Sequence, residues 1–441
     1  MDLITKYNRP GPRYTSYPAY PHWDNKPSDQ DWINELHQYR DLRVDLYLHI
    51  PYCQSLCTYC GCTRTISKNL DKGMDYTALL LKEWRLYKEE FPHLTIDSLH
   101  FGGGTPTFLR PEYLRAILDN LEGSFSESFS GAAEIDPRVT SIQHLNVLKD
   151  FGINRLSLGI QDFDPLVQKI CNRIQPPEMV RSFLKDVRAL EIENINFDLI
   201  YGLPGQSLSS IEETIGIVKE MKPTTIALYG YAHVPWRSKA QKSLERYKIA
   251  AGEEKRALYE RSKELLLDVG YRELGLDHFA LEGSELMSAY ERGELKRTFM
   301  GYTAQKAPVT LGLGASAISS SPRTFVQNEK EVKNYSEKLA RDKLPLFNGH
   351  ILSLRDQACS QVIQSIMCQG KAEYENLFNL LGDIERETLL GELQELFEDG
   401  LIEYNAKSLR VLERGKPFLR NISMIFDHRL TKVQNQFSKT V

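Results

Sequence analysis

Short runs of apolar residues recur between about residues 44 and 231, and patterns typical of helices separate them. Residues 177–191 illustrate the helical pattern, with Pro177 at the start and apolar positions at helical spacing after it. The predicted strands are LYLHI at 46–50, IDSLHF at 96–101, AAEI at 132–135, RLSL at 155–158, INFDLI at 195–200 and TIALYGY at 225–231. Strands that alternate with helices in this way predict an α/β fold, in which helices cover a parallel sheet.

Polar and glycine-rich segments follow four of the predicted strands. They are GGGTP after residue 101, DPR after residue 135, GIQDF after residue 158 and YGLPGQ after residue 200. Because the carboxyl ends of the strands of a parallel barrel carry its chemistry, we expect these segments to form one site. Glu134 closes one strand, and Asp198 lies within an otherwise apolar one, where a buried acid needs a partner. Asp198 therefore belongs either to this site or to a structural ion pair.

The two ends of the chain differ in pattern from its middle. Residues 1–30 are rich in proline and aromatic residues, which predicts a stiff, irregular arm that either packs on the surface or covers a cavity. After about residue 350, helical patterns and then a hairpin pattern favour a small winged-helix-like domain. We therefore predict an arm at 1–30, an α/β domain at 31–350 and a mainly helical domain at 351–441.

Composition and charge narrow the classes of partner. Hydrophobic residues make up 41% of the 441 residues, and the net charge of −4 gives no field that would attract nucleic acid or an anionic membrane. No apolar run approaches the roughly 18–20 residues that span a bilayer, and the N-terminus has no apolar leader region. A cytoplasmic protein without a membrane or nucleic-acid partner is therefore expected.

Four of the seven cysteines lie within ten residues, in the sequence HIPYCQSLCTYCGC. In a reducing compartment such a group indicates metal binding or catalysis rather than disulfides. The thiolates of Cys53, Cys57 and Cys60 can bind three corners of a 4Fe–4S cubane and leave one iron open to a non-protein ligand. The alternatives are a zinc site completed by Cys62 or His49 and a chance group of buried thiols. The other cysteines are predicted to be ordinary core residues: Cys171, Cys359 and Cys368.

The C-x3-C-x2-C spacing on a loop after the first strand is the hallmark of the radical S-adenosylmethionine (radical SAM) superfamily, which the chain resembles. Within it, LYLHIPYCQSLCTYCGC is similar to the oxygen-independent coproporphyrinogen III oxidase family, and the likeness covers nearly the whole chain. Cys62 and the arm sequence PGPRYTSYP separate this family from its haem-handling relatives, which generally lack both. Other segments that resemble the family are HFGGGTPT, EIDPR, RLSLGIQDF, FDLIYGLPGQ, YAHVP, LDHFA, GYTAQ and FLRNISMIFD.

The resemblance implies a partial parallel (β/α) barrel of radical SAM type. It implies an oxidoreductase of haem biosynthesis that converts two propionates of coproporphyrinogen III to vinyl groups without oxygen, giving protoporphyrinogen IX. The implied cofactors are a 4Fe–4S cluster with three cysteine ligands and two molecules of S-adenosylmethionine, the source of a deoxyadenosyl radical. A flavodoxin or ferredoxin as electron donor and a monomeric state are also expected.

Two alternatives stay open at this point. One is a radical SAM paralogue that acts on another porphyrin or handles haem, which Cys62 and the arm disfavour. The other is an iron–sulfur DNA-binding regulator. Residues 371–400 carry nine acidic and two basic side chains, whereas a helix that faces phosphates should be basic, so this second alternative is remote.

Residue by residue, the likeness and the side-chain chemistry assign the expected ligand contacts. Arg173 is a candidate for the methionine carboxylate, since a guanidinium binds a carboxylate through two hydrogen bonds, unless it is a surface arginine. The glycines at 102–104 let backbone approach a ligand closely, or else form only a tight turn. The residues expected to contact S-adenosylmethionine are Tyr47, Tyr59, Gly103, Gly104, Thr105, Glu134, Gln161, Arg173, Asp198, Ala232 and Ile318.

Three further residues are assigned toward the substrate. Only Gly61 separates Cys60 from Cys62, so in an extended segment the two thiols point to opposite sides. Cys62 is therefore expected near the cluster without binding it, as a catalytic residue or as simple packing. Arg9 and Arg13 of the arm are candidate ligands for the propionates, or solvated loop residues.

Overall fold

The centre of the protein is a mixed sheet of twelve strands, seen in a computed structural model that describes residues 3–304, 307–430 and 437–440. We number the strands of this sheet β1 to β12 in chain order. The first six are parallel, and each is hydrogen-bonded to the next. They are β1 (Arg43–Ile50), β2 (Thr95–Gly103), β3 (Phe125–Ile135), β4 (Ile153–Gln161), β5 (Asn194–Tyr201) and β6 (Thr225–Gly230). The predicted α/β fold with a parallel sheet is confirmed.

Helices alternate with these strands, and their apolar faces contribute to one large core with the sheet. In α7, for example, Val180, Phe183, Leu184 and Val187 are buried, at the spacing that places them on one face. The helices are α1 (Leu3–Tyr7), α2 (Asp29–Leu36), α3 (Lys72–Glu90), α4 (Pro111–Leu121), α5 (Ile142–Asp150), α6 (Pro165–Ile170), α7 (Pro177–Ala189), α8 (Leu208–Met221), α9 (Gly252–Asp268), α10 (Glu285–Glu291), α11 (Val332–Leu339), α12 (Leu354–Gln369), α13 (Glu375–Asn379), α14 (Asp383–Glu398) and α15 (Leu419–Met424). Within the described ranges, no helix is both long and apolar enough to cross a membrane.

Six more strands extend the sheet on both sides. Beyond β6 lie β8 and then β7, both antiparallel. On the other side β9 pairs with β1 in parallel, with Val44 opposite Val309, so the first strand of the chain lies inside the sheet. These strands are β7 (Arg272–Leu274), β8 (His278–Ala280), β9 (Val309–Leu313), β10 (Ile318–Ser320), β11 (Thr324–Asn328) and β12 (Leu346–Ile351). Two small ribbons lie outside the sheet: Tyr52–Cys53 with Thr65–Ile66, and Lys296–Thr298 with Gly301–Thr303.

The C-terminal region forms a second hydrophobic cluster, to which the N-terminal arm contributes Tyr7, Tyr14 and Tyr17. Helices α12 to α14 are followed by a hairpin of Ile402–Tyr404 and Ser408–Val411, to which Lys371–Glu373 adds a third strand. This is the helix, helix and hairpin order that the sequence predicts. The arm therefore packs against the C-terminal region, while the domain boundaries at 30 and 350 stay predictions.

Candidate active site

The carboxyl-terminal halves of β2 to β5 and the cysteine loop after β1 surround a cavity of about 200 Å³. Most of the predicted site residues, although far apart in sequence, line this one cavity. They are Cys53, Cys57, Tyr59, Cys60, Cys62, Gly103, Gly104, Thr105, Glu134, Gln161, Arg173 and Asp198. We call it the cysteine cavity.

The cysteine loop is held in place through its backbone. Thr58 donates from its amide to Cys171 O at 3.0 Å and from its hydroxyl to Ile170 O at 3.0 Å, at the end of α6. From the other side, the amide of Gln241 donates to Tyr59 O at 2.7 Å, and the hydroxyl of Ser238 donates to Cys60 O at 2.8 Å. These contacts hold residues 58–60 of the loop between the end of α6 and the segment that contains Ser238 and Gln241.

The three predicted ligand thiols differ in environment. A hydrogen bond from Cys62, supported by the positive charge of Arg64, lowers the pKa of Cys60 and so favours its thiolate. Burial raises the pKa of Cys53, against a hydrogen bond from Thr105 Oγ1 at 3.5 Å. In the part of the chain that the structure describes, no three His, Cys, Asp or Glu side chains converge as one metal ion requires. A cubane cluster takes each thiolate on a different iron, so its ligands need not converge.

Two arginines and one carboxylate flank Cys57. Arg173 Nη1 lies 3.6 Å from Cys57 Sγ and 3.2 Å from Asp136 Oδ2. Arg138 Nη2 lies 3.8 Å from the same sulfur and 2.7 Å from Asp136 Oδ2. Arg173 is only 8% exposed, so it is not a surface arginine. Asp136 and Arg138 are not among the residues predicted from the sequence, although both lie in the DPR segment that follows the predicted strand.

Glu134 lies on the β3 side of the cavity, where its carboxylate accepts a hydrogen bond from the amide of Gly103 at 3.2 Å and faces His100 Nε2 at 3.3 Å. A Cβ at Gly102 would lie 2.8 Å from both Glu134 Oε1 and Tyr47 Cε2, so a side chain there would push Glu134 away. Gly103 has φ +112°, which favours glycine. The glycine segment thus brings its backbone against the carboxylate.

Among the residues that the structure describes, the hydrogen-bond partners of Asp198 are neutral and none forms an ion pair with it. Its carboxylate accepts hydrogen bonds from Ser157 Oγ at 3.0 Å and Asn196 Nδ2 at 2.9 Å. Burial and the nearby charge of Glu134 raise the pKa of Asp198 to about 7. Asp198 can therefore both donate and accept a proton near neutral pH.

The remaining predicted contacts lie outside the cysteine cavity. Tyr47 is next to it, since its hydroxyl is 3.0 Å from His49 Nδ1 and its ring stacks on His100. Ile318 begins β10, with its backbone against Gly312. Arg9 is exposed and lines a different cavity, in the C-terminal region, together with Arg355 and Cys359. The other three cysteines, Cys171, Cys359 and Cys368, are buried, as predicted for core residues.

Ala232 and Arg13 line a second, larger cavity of about 510 Å³, which we call the basic cavity. Arg13 donates to Gly230 O at 2.8 Å, at the end of β6. Lys255 and Arg420, which the sequence analysis did not single out, also line it. Burial, followed by the charges of Arg13 and Arg420, lowers the pKa of Lys255 to about 8. Three cations that line one cavity form a site suited to anions.

Residues 47–218, which carry the cysteine loop and most of the strand ends of the site, match the family model of the Radical SAM superfamily. Together, fold and site define a radical SAM enzyme. The chain is 36% identical to the oxygen-independent coproporphyrinogen III oxidase of Pseudomonas aeruginosa, over 100% of this chain and 98% of that protein. It is 34% identical to the protein of the same name from Helicobacter pylori, over 100% and 99%.

A solved structure agrees with these relatives. Coproporphyrinogen III oxidase from Escherichia coli, described as a radical SAM enzyme, superposes with a TM-score of 0.89 at 32% identity, covering 94% of this chain and 97% of that one. The chain belongs to the oxygen-independent coproporphyrinogen III oxidase family, and it is an oxidoreductase.

Proposed function

We propose that the enzyme converts coproporphyrinogen III to protoporphyrinogen IX by oxidative decarboxylation of two propionates to vinyl groups, without oxygen. The observation that carries this proposal is the full-length match to relatives of that name, combined with a cavity at the strand ends that the three predicted ligand thiols line together with Cys62. We also propose a cytoplasmic monomer that accepts electrons from a flavodoxin or ferredoxin. Acidic helix α14 gives no support to the alternative of DNA binding.

The donor set suits the implied 4Fe–4S cluster. Cys53, Cys57 and Cys60 would each hold one iron, leaving the fourth iron for S-adenosylmethionine. The hydrogen bond from Cys62 favours the thiolate of Cys60, and two guanidiniums beside Cys57 compensate the negative charge of a bound thiolate. When bound, the cluster and S-adenosylmethionine supply a carbon-centred radical, and the chain positions the reactants and excludes water.

The proposed S-adenosylmethionine contacts follow from the walls of the cysteine cavity. Glu134, with its oxygens turned to the glycine segment, would accept hydrogen bonds from the amino group or the ribose. Arg173 would bind the methionine carboxylate with the guanidinium edge left by Asp136 and Gly159. Asp198 can donate or accept because its pKa is about 7. Gly103, Gly104, Thr105, Gln161, Tyr59, Tyr47, Ala232 and Ile318 complete the proposed contacts for two molecules.

The basic cavity is the proposed site for the propionates of the substrate. Arg13, Lys255 and Arg420 have no carboxylate partner among the hydrogen bonds and ion pairs of the described residues. Charge-assisted hydrogen bonds to a carboxylate would each contribute about 1.5–3 kcal/mol. Arg9 lies at another cavity, so it is not part of this proposal.

The test is an anaerobic assay of reconstituted enzyme with coproporphyrinogen III, S-adenosylmethionine and a reductant, in which CO₂ and protoporphyrinogen are quantified. Two molecules of CO₂ per protoporphyrinogen are expected. Cys57→Ser should abolish both products. Cys368→Ser should retain them, because Cys368 is a buried residue of a hydrophobic cluster away from the cysteine cavity. S-adenosylmethionine cleavage without CO₂, or turnover of a different porphyrin only, would instead favour a paralogue with another substrate.

A further inference from the structure

Arg138 and Asp136 lie in the turn that follows β3, next to Cys57. We propose that Arg138 is a positioning residue that raises the reduction potential of the iron–sulfur cluster through Cys57, and that Asp136 opposes it. This inference rests on the proposed function only in that Cys57 binds the cluster.

Hydrogen bonds fix the guanidinium of Arg138 in one orientation. Its Nε donates to Asp136 Oδ1 at 2.9 Å and its Nη2 to Asp136 Oδ2 at 2.7 Å, which is a bidentate pair. The backbone amide of Arg138 also donates to Asp136 Oδ1 at 3.1 Å, so both residues are held by one turn. The Nη2 group that Asp136 orients is the one 3.8 Å from Cys57 Sγ. The pair therefore directs an N–H toward the sulfur.

The side chains around Cys57 Sγ carry a net positive charge, which a thiolate at Cys57 would neutralise. Arg138 and Arg173 are two cations and Asp136 is one anion, which leaves one net positive charge beside Cys57 Sγ. The side chains of Arg138, Asp136 and Arg173 are 17%, 11% and 9% exposed, so water screens these charges weakly. Reduction adds one negative charge to a cluster, and hydrogen bonds to its sulfurs and the local charge set its potential. A fixed cation at this position therefore favours the reduced cluster.

Arg138 separates this effect from cofactor binding better than Arg173 does. Arg173 also donates to Gly159 O at 2.5 Å and is the proposed ligand of the methionine carboxylate, so replacing it would change two functions. The side chain of Arg138 hydrogen-bonds to Asp136 and Cys57. A change at Arg138 should therefore alter the cluster potential in protein that contains no S-adenosylmethionine.

The experiment is a potentiometric titration of reconstituted full-length protein, without S-adenosylmethionine or substrate, in which the electron paramagnetic resonance signal of the reduced cluster is measured. At the wild-type midpoint, Arg138→Gln should lower the ratio of reduced to oxidised cluster about tenfold, equivalent to about 59 mV for one electron. Asp136→Asn should raise the ratio, because it removes the opposing negative charge. Arg138→Lys keeps the positive charge but cannot form the bidentate hydrogen bonds with Asp136. Its midpoint potential should therefore lie between those of wild type and Arg138→Gln. Arg181→Gln, which removes a surface arginine of α7 paired with Glu178 and Glu220, is the matched control.

A midpoint for Arg138→Gln equal to that of Arg181→Gln, at equal iron content, overturns the proposal. So do shifts of the same sign in Arg138→Gln and Asp136→Asn, since that result indicates a structural disturbance rather than a charge effect. If Arg138→Gln fails to retain iron, the midpoint potentials of Arg138→Lys and Asp136→Asn replace it. Arg138→Lys should lower the midpoint and Asp136→Asn should raise it, and shifts of the same sign overturn the proposal. A wild-type protein that assembles no cluster would overturn the cluster assignment itself, whereas loss of turnover with these shifts intact would affect only the substrate proposal.

Discussion

Asp198 illustrates how the environment of one residue sets its chemistry. The pKa of this carboxyl is about 7, above the ordinary value of 3.8, because burial and the charge of Glu134 disfavour ionisation. A raised pKa in the folded state means that the carboxyl favours folding below about pH 4, and that this contribution is lost as the pH rises to about 7. Asp198 therefore lowers the free energy of unfolding as the pH approaches neutral. The same raised pKa allows its carboxyl to exchange a proton near pH 7.

Replacing Asp198 by asparagine should remove this pH dependence. The compared quantity is the free energy of unfolding of Asp198→Asn minus that of wild type. This difference should increase by on the order of 1 kcal/mol from pH 5 to pH 8, which is about half of the value for a fully buried carboxyl with this pKa. Urea unfolding of both proteins at the two pH values measures it. Asp119→Asn, at an exposed position of α4, is the control, and a difference for Asp198→Asn that does not change with pH contradicts the assignment.

The question for Cys62 is whether it binds the proposed cluster or only lies near it. Cys62 is exposed, lines the cysteine cavity and hydrogen-bonds to Cys60. The expectation that the two thiols point to opposite sides is therefore wrong, because the segment that joins them is not an extended strand. Cys62→Ser should keep four irons and cleavage of S-adenosylmethionine but lose productive decarboxylation, whereas Cys60→Ser should lose iron. Iron analysis together with quantification of deoxyadenosine and CO₂ distinguishes the two. Iron loss in Cys62→Ser as large as in Cys60→Ser would make Cys62 a ligand.

At the scale of elements, the helix α9 contributes a cation where helices disfavour one. Lys255 lies in the first turn of α9, near the positive end of the helix dipole, so it does not stabilise the helix. Its ammonium group is 5.7 Å from the ring centre of Tyr201, at the end of β5, and faces the basic cavity. The helix therefore does not favour a cation at this position, and the side chain instead lies over Tyr201 and adds a positive charge to the wall of the basic cavity.

Lys255→Met should accordingly weaken binding of the substrate while the cluster stays intact. Loss of one charge-assisted hydrogen bond of about 1.5–3 kcal/mol predicts a KM for coproporphyrinogen III at least about tenfold higher. Iron content and cleavage of S-adenosylmethionine in the absence of substrate should not change. Lys248→Met, which removes an exposed lysine paired with Glu254, is the control. An unchanged KM in Lys255→Met would place the propionates elsewhere.

The elements that the sequence predicts are those with a strong periodic signal. All six predicted strands coincide with β1 to β6, because each is an apolar run between two helices. Strands β7, β8 and β10 have three residues each, too few for a period to be recognised, and the parallel pairing of β9 with β1 joins positions that no local pattern connects. The site follows the same rule. Strand-end residues such as Glu134 were predictable from the sequence. Lys255 was not, because a lysine in a helix is usually exposed and only the fold shows that this one lines a cavity.

For the whole molecule, Arg420 connects the two ends of the chain. This buried guanidinium donates to Pro12 O at 2.9 Å in the arm and to Lys439 O at 2.9 Å in the C-terminal segment, and it also contacts Gly11 O and Ser438 O. Tyr14 in the arm donates to Asp427 at 3.0 Å nearby. The arm thus lies over the basic cavity because the C-terminal region holds it there, which agrees with the predicted cover over a cavity.

Arg420→Gln should release the arm without unfolding the sheet. An amide cannot replace these four contacts, and each buried carbonyl left without a donor costs about 1–3 kcal/mol. Hydrogen exchange measured by mass spectrometry should show at least about tenfold faster exchange of residues 7–14, with unchanged exchange in β1 to β3. Arg410→Gln, at an exposed hairpin arginine paired with Glu403, is the control. Equal protection of the arm in both variants would mean that the tyrosines alone hold it.

The pairing of β1 with β9 also sets an order of events during synthesis. Strand β1 leads directly into the cysteine loop, yet one of its two neighbours begins at Val309, after more than two thirds of the 441 residues have left the ribosome. Contacts so distant in sequence form late, because a long loop must close first. Until then, one edge of β1 has unpaired backbone groups. A nascent chain therefore carries the cysteine loop on a sheet with one open edge, and the sheet around the loop is completed only after the region that contains β9 has been made.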